Sequence, residues 1–240
     1  MKICVYIINI KHKSIKQMSD LNDFLKLILK IIVDNIPEEE YSEIEVLELN
    51  IFEDEKHFKT GLMNLTTGNL EDALEDFTKV IKINPQFESI HYNRGLVFQK
   101  SNKHKEAIKD FNKELESNIN NSQTYLARGT SHFKLDKISR AIKDYDKAIK
   151  LDPDCESAYH NTSVVYIKLK KFKNTINSLN KAIEINPVNS QNYTLRANCQ
   201  TILNNFNAAI KDYNKVTELN PSDTNTYYSR ELALYNLSGL

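Results

Sequence analysis

Along residues 122–155 the apolar positions fall three and four apart, the spacing of one face of an α-helix, and they do so twice. Tyr125, Gly129, His132 and Phe133 form the first stripe; Ile138, Ala141, Ile142, Tyr145, Ala148 and Ile149 form the second. Between them stand Asp136 and Lys137. The same place elsewhere is held by Gly68-Asn69, Asn102-Lys103, Lys170-Lys171 and Asn204-Asn205. Gly, Asn and Asp tolerate the left-handed conformation that ends a helix, so these pairs predict turns. The second stripe stops just before Pro85, Pro153, Pro187 and Pro221, where a helix cannot continue. The pattern predicts helix–turn–helix pairs.

These pairs repeat every 34 residues. With the proline at position 32, the units are 54–87, 88–121, 122–155, 156–189 and 190–223, followed by a partial sixth unit or capping helix over 224–240. Position 8 reads Gly61, Gly95, Gly129, Ser163 and Ala197, and position 20 reads Ala73, Ala107, Ala141, Thr175 and Ala209. Small residues there let the first helix (A) and second helix (B) of a unit approach closely. Position 24, with Phe77, Phe111, Tyr145, Leu179 and Tyr213, fills the space beside that contact. Glu114 at position 27 and Ile119 at position 32 break the pattern. A looser junction between units two and three is expected from them.

Position 7 carries Arg94, Arg128 and Arg196, and position 23 of the same units carries Asp110, Asp144 and Asp212. Unit four loses both, with Thr162 and Ser178. That joint loss predicts structural ion pairs, within a unit or between neighbours, since the guanidinium fork suits a two-point hold on a carboxylate. Unit one keeps Asp76 without an arginine, and Arg94 of the next unit is its expected partner. His57, His91 and His132 sit on the apolar stripes and are expected to fill core sites.

Residues 1–53 lie outside the repeat and are expected to cap unit one. Ser19 and Asp20, followed by Leu21, Phe24, Leu25, Ile28 and Ile32, predict one apolar helix to about Ile36. Pro37–Phe52 fits a helix by its Tyr41, Ile44, Leu47 and Ile51 spacing, and a strand by its alternating glutamates. Its acidic run, Glu38–Glu48, is a candidate competitor for any positively charged groove. Over 224–240, Leu232, Leu234 and Leu237 give the last helix an apolar character unusual for a terminal cap.

Composition narrows the function classes. Lys and Arg number 32 and Asp and Glu 32, so net charge implies no polyanionic or membrane partner. Three cysteines without a C-x-x-C pair suit free thiols in a reducing compartment, and the expected location is the cytoplasm. No apolar run reaches the ~18 residues of a membrane span. There is no phosphate-cradling glycine loop, no H-E-x-x-H and no serine elbow, and Cys155 with His160 lacks a third ligand for zinc. The expectation is a non-enzyme with no metal and no cofactor.

The 34-residue period and these residues at positions 8, 20, 24, 27 and 32 resemble the tetratricopeptide repeat (TPR) family over 54–223. "NRG" at Asn93–Gly95 and "ARG" at Ala127–Gly129 resemble the family's arginine-glycine variant. The resemblance implies an all-α fold, a right-handed α-solenoid whose concave groove is lined by helix A of each unit. It further implies a protein-binding scaffold that takes an extended or helical peptide segment. The groove positions map to Tyr92, Asn93, Leu96 and Lys100 in unit two, and Leu126, Thr130, Phe133 and Lys134 in unit three. They continue through His160, Asn161, Val164 and Lys168 in unit four, and Thr194 and Asn198 in unit five.

Lysine recurs at position 13 as Lys100, Lys134 and Lys168, Glu55 is the single acid at lining positions, and the asparagines offer amides to a peptide backbone. An acidic or polar segment is the expected ligand. The carboxylate clamp by which one TPR subclass holds a chaperone tail is absent: of its five residues only Asn93, or Asn161, matches. The alternative reading, an RNA-binding helical repeat, draws on the same lysines and arginines. Neutral overall charge and arginines that track aspartates speak against it.

Overall fold

A computed structural model describes the backbone of residues 41–239 and the side chains of 53–239. The apolar helix expected over Ser19–Ile36 lies outside the described residues. Those residues form eleven helices and no strand. Helices α1 (Tyr41–Thr67), α3 (Ile90–Lys100), α5 (Ser122–Lys134), α7 (Glu156–Lys168), α9 (Ser190–Ile202) and α11 (Thr224–Ser238) are the A helices. Helices α2 (Leu70–Ile83), α4 (His104–Ser117), α6 (Ile138–Leu151), α8 (Phe172–Ile185) and α10 (Phe206–Leu219) are the B helices. The two-way reading of Pro37–Phe52 resolves to helix from Tyr41 onward. There α1 runs without a break into the first repeat.

Four of the A helices end as their turn residues predict. Asn102, Asp136 and Asn204 adopt φ of 57°, 59° and 60°, and Gly68 sits at 87°. The next residue's N–H reaches back five residues to an A-helix carbonyl: Asn69 to Asn64, Lys103 to Phe98, Lys137 to His132 and Asn205 to Gln200, at 2.8–2.9 Å. This left-handed closure satisfies carbonyls the helix leaves open. Lys170 takes the same conformation, φ 56°, without a side chain that favours it. At the other end of the pair, the position-31 N–H closes on the position-27 carbonyl before the proline, as in Asp152 to Ala148 at 2.8 Å. Asn121, Asn189 and Asp223 then cap α5, α9 and α11 with their side chains.

Within a pair A and B run antiparallel in contact, and each B helix also packs on the next A helix. The core is one repeated contact. Ala73, Phe77, Ala107, Phe111, Ala141, Leu179 and Ala209 are fully buried, and Tyr145 and Tyr213 nearly so. The position-24 ring lies directly over the position-8 glycine: a Cβ on Gly61, Gly95 or Gly129 would fall 2.6–2.7 Å from a ring carbon of Phe77, Phe111 or Tyr145. The glycine is needed because a ring occupies the space of its side chain. Each unit buries its stripe only against neighbours, which makes this an α-solenoid.

Unit two departs from the others. Glu114 is 4% exposed, and its Oε2 accepts the backbone N–H of Tyr92 at 3.2 Å, so the acid caps the start of α3. Burial pushes its carboxyl above the usual range, opposed by that hydrogen bond and by His91. A hollow of about 530 Å³ adjoins it, lined by the 85–89 loop, His91 and the end of α4. The hollow lies on the unit-one side of Glu114, away from the junction of units two and three. Ile119, the missing proline, is 64% exposed and packs on nothing central.

Candidate functional site

Successive A helices touch one another directly, α1 with α3, α3 with α5 and α5 with α7, while each B helix contacts the A helices on either side. The A helices from α1 to α7 therefore share one continuous face of the array, the A-helix wall.

The lining residues divide by what they already touch. Tyr92, Leu96, Leu126 and Phe133 are half-buried and give much of their surface to the core: the Tyr92 ring packs on Phe111 at 6.1 Å, and Leu126 and Phe133 pack against Ala141, Tyr145 and Val165. Val164 is half-buried on the same wall. Thr130 accepts from Asn161 Nδ2 at 3.3 Å and from the Tyr145 hydroxyl at 3.4 Å, which ties unit three to unit four. His160 Nδ1 donates to Asn192 Oδ1 at 2.7 Å, and Asn189 and Asn192 both donate to Glu156, at 2.9 and 2.6 Å, which ties unit four to unit five. Asn93 Nδ2 donates to Ser89, Thr194 Oγ1 donates to Ser190, and Asn198 Oδ1 accepts from the Tyr213 hydroxyl at 2.8 Å. The amides expected to await a ligand thus spend part of their capacity holding the wall together.

The lysine row is uneven. Lys100, Lys134 and Lys168 are all exposed, but Lys168 Nζ binds the Asp136 carboxylate of the preceding turn and lies 5.5 Å from the Phe133 ring centre. Lys100 and Lys134 have no ion pair among the described residues. Farther along the wall α11 presents Tyr228, Leu232 and Tyr235, 73%, 45% and 57% exposed. They stand at positions 5, 9 and 12 of the sixth unit, continuing the lining rows with an apolar end.

Behind the wall sit the arginines. Arg94 Nε and Nη2 donate to both oxygens of Asp110 at 2.7 and 2.8 Å; Arg128 holds Asp144 at 2.9 and 2.6 Å, and Arg196 holds Asp212 at 2.8 and 2.7 Å. The pairs lie within a unit. A third contact crosses to the unit before: Arg128 Nη1 to Asn112 at 2.8 Å, Arg196 Nη1 to Asn180 at 2.7 Å, and Arg230 Nη1 to Asn214 at 3.2 Å. Position 25 was missed in the sequence although it leaves a signal there, since Asn occupies it before Arg128, Arg196 and Arg230, and Asp146 stands before Thr162. The guanidinium planes of Arg128, Arg196 and Arg230 also stack 5.2–5.6 Å from Tyr125, Tyr193 and Tyr227.

Asp76 is not served by Arg94, which turns to its own Asp110 and to Thr78. His57 Nδ1 meets Asp76 at 2.8 Å and Asn64 Nδ2 adds a bond at 3.2 Å. A histidine at position 4 reaches the aspartate from the stacked-ring site, so His57 acts as a polar partner as well as a core filler. His91 lies 3.5 Å from Asp110, and His132 is 6% exposed with burial holding its pKa down.

No group of acids, histidines and cysteines among the described residues could hold a metal ion. Cys155 and Cys199 are buried free thiols, each pushed up by that burial. None of the described helices is long and apolar enough to cross a membrane.

Tetratricopeptide repeat models match this helix-pair array over 61–102, 88–118, 122–155, 156–189 and 190–223. The chain belongs to the tetratricopeptide repeat family. TPR arrays serve as protein-interaction scaffolds, and that coarse role extends to this one. No curated protein matches it in sequence. Among solved structures it is similar to PilF of Pseudomonas aeruginosa, at 18% identity and a TM-score of 0.70, over 79% of this chain and 86% of that one. It is likewise similar to MamA of Desulfovibrio magneticus RS-1, at 17% identity and a TM-score of 0.64, over 72% and 97%. YrrB, a TPR protein with an unusual peptide-binding site, matches at 16% identity and a TM-score of 0.59, over 73% and 90%. These likenesses concern the fold.

Proposed function

We propose that this TPR array is a non-catalytic scaffold that binds an acidic or polar peptide segment along its A-helix wall. The observation that carries the reading is the wall's chemistry. Lys100 and Lys134 are exposed and have no ion-pair partner among the described residues, and the lining positions carry no acid beyond Glu55 of unit one. Asn93 Oδ1 and Asn198 Nδ2 keep hydrogen-bonding capacity for a backbone. The exposed Tyr228, Leu232 and Tyr235 supply an apolar end, so the favoured segment joins acidic residues to a bulky apolar anchor. YrrB, with its peptide-binding site, supports peptide capture by this fold as a precedent only.

Lys168 contributes less than the other two lysines because Asp136 already neutralises it. Titrating a fluorescent peptide with a glutamate run and a terminal Leu or Phe tests the reading. Lys134→Glu should weaken binding by roughly fivefold or more, since reversing a rim charge costs on the order of 1 kcal/mol. Lys168→Glu should cost less. Equal binding by both variants and wild type sinks the proposal.

A further inference from the structure

Antiparallel pairing puts all A–B turns on one edge of the ribbon and all B–A loops on the other. The two edges carry opposite charge. The turn windows 100–106, 134–140 and 168–174 hold ten lysine and arginine residues against two acids, Glu106 and Asp136. All ten are exposed, and Lys168 is the only one with an ion pair among the described residues. The corresponding windows of units one and five, 66–72 and 202–208, contain no basic residue. The basic edge is therefore confined to units two to four. On the opposite edge, the nine residues spanning each B–A junction hold eight acids and two lysines in all. Helix α1 begins on that acidic edge, and its residues 41–55 contain six acids and no base.

We infer that a second copy of this chain docks its acidic edge, led by residues 41–55, onto the basic edge of units two to four. The direction of α1 excludes the same contact within one chain. The helix runs from the acidic edge toward the turns, so its first thirteen residues, about 20 Å at the helical rise, extend away from the basic edge. A balanced total charge then conceals two strongly charged, complementary poles. Complementary potentials of this kind steer and register an encounter. The contact joins two different surfaces, so it leaves a free pole at each end and builds open chains of copies instead of a closed pair. Nucleic acid is the weaker fit: the exposed aromatic rings among the described residues lie on α11, and the basic windows offer no platform on which bases would stack. The inference does not rest on peptide binding by the wall.

Sedimentation velocity of the full chain at ~0.02 M and ~0.5 M salt tests it, because the screening length falls several-fold between them. At low salt the average mass should climb with concentration to at least twice the monomer's, and return to the monomer's at high salt. The triple variant Lys137→Glu, Lys171→Glu, Lys173→Glu should stay monomeric at low salt. Its three sites begin B helices, where an acid suits the helix dipole, so its circular dichroism should match wild type. Glu43→Lys, Glu45→Lys, Glu48→Lys should also stay monomeric, and mixing the two variants should bring association back. The inference is overturned by a wild-type chain that remains monomeric at low salt, including one that instead floats with anionic vesicles or binds single-stranded RNA through these lysines. It is equally overturned by association that survives both charge reversals.

Discussion

Units three and four share a backbone plan but hold it by different chemistry. In unit three Arg128 grips both oxygens of Asp144, reaches Asn112 of unit two and stacks on Tyr125. Unit four has Thr162, whose hydroxyl donates to the Ala158 carbonyl of its own helix, and Ser178 in place of the aspartate. Its core pair is Ser163 and Leu179 where unit three has Gly129 and Tyr145. Ser163 turns its hydroxyl onto His160 at 2.6 Å. The difference shows that the fold needs volume at positions 8 and 24, whereas the arginine clamp adds a tie between units. Across the junction of units three and four no arginine reaches back. Its polar ties are Asn161 to Thr130 and Lys168 to Asp136, beside the apolar packing of Val165 on Ala141 and Tyr145.

The largest effect is expected from Arg128→Ala. It leaves the Asp144 carboxylate, 8% exposed, with only His132 at 3.8 Å nearby. Removing one partner of a buried pair typically costs 3–5 kcal/mol; Arg128 keeps 20% of its side-chain surface exposed, which places the loss near the lower figure, about 3 kcal/mol by urea unfolding. Peptide affinity of the folded protein should be unchanged. Loss of affinity at unaltered stability would mean that the arginine belongs to the binding wall and not to the frame.

Next comes an exchange of core pairs. Gly129→Ser places a Cβ 2.7 Å from the Tyr145 ring, an overpacking cost of about 2 kcal/mol. Adding Tyr145→Leu installs unit four's pair and should recover most of that loss, although the Tyr145 hydroxyl's bond to Thr130 goes with it. If the double variant is no more stable than the single, position 8 and position 24 are not coupled as the comparison holds.

Much of this was visible in the sequence, because a repeat reports its own constraints. The period, the proline at 32 and the Gly, Asn and Asp at 15 fix where helices end, and the turns use those left-handed residues. What single positions hid was partner choice. Asp76 finds His57 because position 4, expected to be a core site, lies against position 23 as well. Glu114 reads as a break at an otherwise apolar position until its carboxylate is seen capping α3. The Asn192 network with His160 and Glu156 joins residues more than thirty positions apart. No local pattern points to it, because it occurs once. The charged edges escape a whole-chain tally since they cancel in it.

A smaller gain is expected from building the clamp into unit four. Thr162→Arg with Ser178→Asp recreates the pair of unit three, and Asp146 already stands at the position that holds Asn112 one unit earlier. The pair would be partly exposed, so about 1 kcal/mol at most is expected, falling as salt is raised. Hydrogen exchange should slow in α7 and α8 more than in α3 and α4. A uniform change would indicate general stiffening without a joint between units three and four.

The smallest effect, and the one with a definite pH signature, lies at Glu114. Other units place Val80, Ala148, Ala182 or Val216 at position 27, and unit two buries a carboxyl there. Burial raises its folded-state pKa above the unfolded value. Between those two values the native state holds the proton more tightly than the unfolded chain does, so stability falls as pH rises through that window and stays lowered above it. Glu114→Gln keeps an oxygen to accept the Tyr92 N–H without an ionisable group. The variant should be the more stable protein at neutral pH, and its advantage should shrink as pH falls, vanishing below the ordinary carboxylate range. Chemical unfolding at a series of pH values measures the difference. An advantage that is flat with pH would assign the effect to packing in the adjoining hollow, and a variant less stable at neutral pH, with a deficit that vanishes as pH falls, would mean that the ionised carboxylate's cap on α3 outweighs the cost of burying it.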